Sequence, residues 1–109
     1  MALLLGYDVG SSSIKATLME AETGKVLATA TSPEKELEII AQNLGWAEQQ
    51  PQTWWEHVKE VTRKVASEIR NQKSEVRSLD DVEAIGISYQ MHGLVAVDKN
   101  KEVLRASII

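Results

Sequence analysis

The run Gly6-Tyr7-Asp8-Val9-Gly10-Ser11-Ser12-Ser13-Ile14-Lys15 is the stretch of the chain richest in chemistry. Asp8 stands at the end of an apolar segment, where a carboxylate is costly to desolvate unless a cation meets it. The residues after it are small and hydroxylated, so the backbone N–H groups of Gly10, Ser11, Ser12 and Ser13 can approach a phosphate closely. A carboxylate beside such a cradle suits hydrated Mg2+, which takes one or two carboxylates and keeps several waters. Two readings stay open on pattern alone. One is a hairpin that holds ATP and Mg2+, with Asp8 at the metal; the other is an ordinary turn that contains an aspartate.

A second candidate is Tyr89-Gln90-Met91-His92-Gly93, which follows a run of β-branched residues. If that run is a strand parallel to the first, the segment lies beyond the carboxyl ends of the strands, where open α/β sheets bind ligands. His92 can bond a hydroxyl through either ring nitrogen, while Gln90 and the backbone at Met91 can shape a pocket. A lone histidine at a strand end is as readily a surface or core residue, so that alternative stays open. His57 lies mid-helix on the polar side without a partner motif and reads as solvated. Asp80 and Asp81 read as a solvated turn. Trp54 reads as core, Trp55 as cover for the domain edge, and Trp46 as a packing anchor in preference to a sugar-stacking wall.

The elements that must position these residues follow from periodicity. Leu3 to Val9 is a nearly continuous apolar run, as in a strand buried on both faces. Ile14 to Met19 and Val26 to Thr31 are further strands, with the turn Glu22-Thr23-Gly24-Lys25 between them. Their short connections imply an antiparallel meander. Residues 32–50 read as irregular. Pro51 suits the first position of a helix. Trp54, Val58, Val61, Val65 and Ile69 then form one amphipathic stripe that ends near residues 71–74. The helix is long enough to carry the chain to a fourth strand, Val82 to Tyr89, expected to be buried and parallel to the first. Leu94 to Val97, the turn Asp98 to Lys101 and Val103 to Ile109 read as a final hairpin. The fold class is α/β with a mixed sheet, in the order that opens a ribonuclease-H-like (actin-like) domain.

Composition narrows the function classes. The 109 residues suit one small domain, and the net charge of −4 argues against a nucleic-acid partner, which Lys and Arg would have to attract. No apolar run approaches the roughly 20 residues of a membrane span, and Met1 to Leu5 lacks the basic flank of a signal peptide. The chain has no cysteine, which removes thiolate chemistry and disulfides and is compatible with the cytoplasm.

The hairpin resembles the first phosphate motif of the sugar kinase, actin and heat-shock chaperone superfamily, in which Gly-x-Asp-x-Gly-Ser/Thr opens the chain. On that resemblance Asp8 matches the metal-site aspartate, and Gly10, Ser11 and Ser12 match the phosphate-facing turn. Lys15 matches a basic residue frequent in the kinase branch, and Ser13 stands where that branch often carries Gly. Gly45-Trp46-Ala47-Glu48-Gln49-Gln50-Pro51, with Trp54-Trp55, resembles the Gly-Trp-x-Glu-Gln-Asp-Pro…Trp-Trp run of the FGGY carbohydrate kinases. Gln50 departs from that run's Asp, a poor helix N-cap in place of a strong one. Tyr89 to Gly93 resembles the Gly-Gln-Met-His-Gly segment of the family's xylulokinase branch, where glycerol kinases carry Gln-Arg-Glu. Leu104 to Ile109 resembles the strand leading to the family's Trp-x-Asp-x-Arg, and the similarity is collinear from Leu4 to Ile109.

The resemblance implies an incomplete actin-like ATPase domain: residues 1–109 as the N-terminal part of the sugar-binding domain of an FGGY kinase. The general-base Asp and the ATP-binding domain are expected beyond Ile109, so the chain alone is expected to be inactive. The implied activity of the longer protein is transfer of the ATP γ-phosphate to D-xylulose, giving D-xylulose 5-phosphate in the cytoplasm. ATP would meet Gly10 to Ser13 and Lys15, Mg2+ would meet Asp8, and the sugar would meet Gln90, Met91 and His92. The implied partners are the sugar, ATP and the rest of the protein's own chain, with no nucleic acid and no membrane; a homodimer stays open. Gluconate, ribulose and fuculose are alternative substrates within the family. A nucleotide-dependent regulator or chaperone-type ATPase, or a binding module without chemistry, are alternatives outside it. Trp46 to Pro51 and Gln90 to Gly93 speak against a chaperone, which needs no sugar pocket.

Overall fold

The computed structural model describes residues 2–72, 75–76 and 78–109. Its first three strands, β1 (Leu3–Val9), β2 (Ile14–Glu20) and β3 (Val26–Ser32), form the expected antiparallel meander. The register sets Asp8 opposite Lys15 and Val9 opposite Ile14, so Gly10 to Ser13 is the entire connection from β1 to β2. Gly24 closes the next turn at φ 73°, a region glycine enters without the clash a Cβ would bring. Along β2, Ile14, Ala16 and Leu18 are buried while Lys15 is exposed, the alternation of a strand with one covered face.

A short strand, β4 (Glu48–Gln49), precedes the 21-residue helix α1 (Pro51–Asn71). Pro51 sits in the first turn, where its missing N–H leaves no bond unmade. The predicted stripe faces the sheet. Val61, Val65 and Ile69 are fully buried, and Trp54 and Val58 pack partly buried against the same core of Leu3, Leu5, Ile14, Leu18 and Ala28. Each fully buried side chain of this size stabilises the fold by about 1.5–3 kcal/mol. Polar ties fix the helix over the meander: the Tyr7 hydroxyl meets Thr62 Oγ1 at 2.6 Å, and Gln72 Nε2 donates to the Leu27 carbonyl at 2.8 Å. The chain then enters β5 (Val82–Tyr89), parallel to β1 with Val9 opposite Tyr89. The sheet order is β3-β2-β1-β5.

Four expectations of the fold need correction. β1 is covered on one face only: Leu3 and Leu5 are buried, but Asp8 is exposed on the face away from α1. β5 is an exposed edge strand and not a buried one, with Ile87 62% and Tyr89 73% exposed. The physical reason is that α1 lies chiefly over β2 and β3, leaving a cleft of about 620 Å³ between Trp55, Val58 and Ile85. The final hairpin is reduced to bridges between Leu94 and Ile108 and between Val97 and Val103. Its last strand, β6 (Ser107–Ile108), pairs antiparallel with β4, so residues 32–50 are less irregular than their composition suggests. Among the described residues, no helix is long and apolar enough to cross a membrane.

Candidate functional site

Because β1 and β5 are parallel neighbours, the segments that follow them leave the sheet at the same edge. The Gln90 backbone N–H donates to the Val9 carbonyl at 3.2 Å, which brings the serine turn and the Gln90–Gly93 segment side by side. Asp8 borders a shallow cleft of about 560 Å³ together with Gly6, Lys15, Thr17, Gly86 and Ser88. Lys15 and Ser88 are its register partners on the two flanking strands. Gly6 and Gly86 add no side chain to the floor of this cleft, which Thr17 flanks.

The turn itself is tight. Gly10 N–H donates to the Ser13 carbonyl at 3.1 Å, and a Cβ added at Gly10 would lie 3.0 Å from that same oxygen. A larger residue there would have to push the turn open. Ser13 does not carry the positive φ that a glycine would favour; among the described non-glycine residues only Lys101 does, at 67°. The serine in place of the family's glycine therefore costs no backbone strain. Two carbonyls of the turn are held from inside the protein: Ser11 O accepts from Gln49 Nε2, and Ser12 O accepts from the Leu37 amide at 2.8 Å. In a trans peptide the N–H points opposite to the C=O. The amides of Ser12 and Ser13 accordingly point away from Gln49 and Leu37, as an anion cradle requires.

The second segment is more open. Met91 is 92% exposed, and His92 is exposed beside it. Gln90 turns inward instead: both of its amide atoms are buried without a hydrogen-bond partner, and a Cβ added at Gly93 would lie 3.3 Å from its Cδ. A buried amide without partners is unfavourable by about 1–3 kcal/mol. The structure thus places Asp8, the turn and Gln90 at one edge, and among the described residues no wall closes over Met91 and His92.

Other singled-out residues fall as follows. His57 is not free in solvent: its Nδ1 meets the Oγ of buried Ser32 at 2.7 Å. A contact between residues this far apart in sequence leaves no local signal. Trp54 packs on the core and donates its indole N–H to Gln49 Oε1 at 2.9 Å. Trp55 is half-exposed, with Lys59 Nζ 5.9 Å from its ring centroid. Trp46 is also half-exposed and borders a cavity of about 210 Å³, so packing covers only part of it. That cavity is flanked by Glu48, which is buried and accepts from Arg105 Nη2 at 2.9 Å. Asp80 and Asp81 lie exposed in a turn, as the sequence implies. The bond from Gln49 to the Ser11 carbonyl is a further contact that sequence reasoning missed. Gln49 stood inside a recognised motif, but nothing in its spacing names the Ser11 carbonyl as its partner.

Comparison with known proteins gives the arrangement a context. Residues 3–109 match the family model described as the FGGY family of carbohydrate kinases, N-terminal domain. The xylulose kinase of Escherichia coli strain K12 is 32% identical over 107 residues, which is 98% of this chain and 20% of that protein. The chain thus spans about a fifth of the length of that curated relative. Two solved structures from Lactobacillus acidophilus are equally similar. A ligand-bound xylulose kinase superposes at TM-score 0.78 with 27% identity, over 99% of this chain and 19% of its own. A gluconate kinase superposes at 0.77 with 27% identity, over 98% and 19%. The fold they share with this chain is the actin-like ATPase fold with its mixed sheet, of which the opening part is present.

Proposed function

The chain belongs to the FGGY family of carbohydrate kinases, and from that premise we propose that the longer protein transfers the γ-phosphate of ATP to a hydroxyl of D-xylulose. Residues 1–109 are then the N-terminal part of its sugar-binding domain. The observation that carries this reading is the shared edge: the Val9–Gln90 bond sets a phosphate-type turn against the Gln-Met-His segment, so a phosphoryl donor and a polyol can meet there. Phosphoryl transfer is catalysed mainly by positioning and charge stabilisation, which is what such an edge supplies.

The residues take these roles. The outward amides of Ser12 and Ser13 approach the transferring phosphate, and Lys15, opposite Asp8 in the register, adds a positive charge. Among the described residues no three acidic, histidine or cysteine side chains cluster, so a metal here would rest on Asp8, waters and phosphate oxygens. That donor set fits Mg2+, which keeps several waters. When bound, the ion supplies charge neutralisation on the phosphates. His92 and the Met91 backbone bond the sugar hydroxyls. Gln90 shapes the pocket from below, its buried amide available to a hydroxyl or to a neighbouring group of the longer chain. The general-base Asp and the adenine site belong to other parts of the protein, and the cytoplasm is the compartment that supplies its ATP.

Gluconate is the second reading, favoured by the equal likeness of the gluconate kinase structure. The Met91-His92 pair, which resembles the xylulokinase branch, places xylulose first. A coupled ADP-release assay on the full-length protein tests the site. Wild type should turn over D-xylulose, and Asp8→Asn should retain sugar affinity while kcat falls about 100- to 1000-fold, the usual loss for one group that stabilises transition-state charge. A variant with near-normal kcat at saturating Mg-ATP would make Asp8 structural and remove the metal assignment.

A further inference from the structure

We infer that Gln49 is a positioning residue for the phosphate-binding turn, acting through the Ser11 carbonyl; this rests on the proposed kinase reading. Gln49 is 2% exposed, yet both ends of its amide are satisfied by named partners. Its Oε1 accepts the indole N–H of Trp54 at 2.9 Å, and its Nε2 donates to Ser11 O. An indole nitrogen is a donor only. Trp54 therefore fixes which end of the amide is which and leaves Gln49 one orientation, with the NH2 aimed at the turn.

The backbone of Gln49 is held as well. It pairs antiparallel with Ser107, which is itself fully buried, and it stands one residue before the N-cap of α1. The side chain thus links the start of the helix to a loop in which Ser11 and Ser12 are exposed. Drawing the Ser11 carbonyl inward turns the Ser12 N–H outward, since the two lie on opposite sides of one trans peptide. Without that anchor the peptide could rotate, and the cradle would present a carbonyl oxygen to an anion. A carbonyl there repels phosphate, so peptide orientation is decisive. The side chain is buried beneath the turn, and it donates to the Ser11 backbone carbonyl.

The test uses the full-length protein with Gln49→Met, which keeps the length of the side chain but removes both the donor to Ser11 O and the acceptor of the Trp54 indole N–H. Binding of a non-hydrolysable Mg-ATP analogue is measured by titration, and steady-state constants for ATP and sugar are measured alongside. We expect about five- to tenfold weaker nucleotide binding and a similar fall in kcat/KM for ATP, with the sugar KM within about twofold. A merely structural residue would lower the melting temperature and leave these constants unchanged per folded molecule. Trp54→Phe, which retains Gln49 but frees its amide to flip, should move the same constants in the same direction by less. Unchanged nucleotide affinity in folded Gln49→Met, or a rise confined to the sugar KM, overturns the inference. If Gln49→Met does not fold, unchanged nucleotide affinity in Trp54→Phe overturns it equally. A wild-type protein that binds nucleotide but phosphorylates no sugar refutes the proposed function and leaves the Gln49 comparison readable.

Discussion

Gln50→Asp should stabilise the chain, and the structure gives the size of the effect. Gln50 occupies the N-cap of α1 at φ −77° and ψ 120°, the extended geometry an N-cap needs, yet its side chain makes no capping bond. The first turn contains no acidic residue, and Gln50 is exposed, so a carboxylate there pays little desolvation. The Thr53 N–H already donates to the Gln50 carbonyl at 3.0 Å, so aspartate's short side chain would accept from the Gln52 N–H, an orphan donor of the helix start. Such a cap is worth about 1 kcal/mol, and the helix dipole adds a few tenths that salt screens. With an unfolding entropy of about 2.1 cal/mol/K per residue over 109 residues, each kcal/mol raises Tm by about 4 °C. Thermal melts at low protein concentration should therefore show a gain of about 4–6 °C, most of it persisting in high salt. Gln50→Asn should give most of this gain and Gln50→Ala none. A Gln50→Asp melt within about 1 °C of wild type would refute the reasoning, because the cap is local and nothing else near it changes.

The isolated 109-residue chain should self-associate as its concentration rises, because β5 offers an unpaired edge and Ile85, Ile87 and Tyr89 lie exposed along it. Light scattering across a concentration series checks this, and a clean monomer at high concentration would contradict it. In the full-length protein, His92→Ala should lower kcat/KM for the sugar about 5- to 150-fold through one lost hydrogen bond, while sugar-independent ATP hydrolysis persists. An equal fall in both activities would point to unfolding in place of a sugar contact.

Local pattern carried much of the fold. The meander was legible because Gly24 and the Gly10–Ser13 run punctuate strands of matched length. α1 was legible because five apolar residues fall on one stripe behind Pro51, and the structure buries that stripe as expected. The exposure of β5 was not legible, since an apolar, β-branched run signals a strand that seeks cover and says nothing of whether this stretch of chain provides it. The pairing of β6 with β4 was missed for a related reason. Glu48-Gln49 and Ser107-Ile108 are two residues each, too short for any periodicity, and they meet only through tertiary structure. At the candidate site, the nearness of Asp8 to the serine turn was legible because they adjoin in sequence. The inward-turned Gln90, the His57–Ser32 bond and the Gln49 anchor were not, because each depends on a partner that sequence spacing does not specify.

The proposed reaction brings a ketopentose to the phosphoryl donor at the edge shared by the serine turn and the Gln90–Gly93 segment. Its most direct test is a substrate panel on the full-length protein with Mg-ATP: D-xylulose, L-ribulose, L-fuculose, gluconate and glycerol, compared by kcat/KM. D-xylulose should give the highest value. A value for gluconate or glycerol about tenfold or more above that of D-xylulose would contradict the assignment, since specificity is the ratio of these constants.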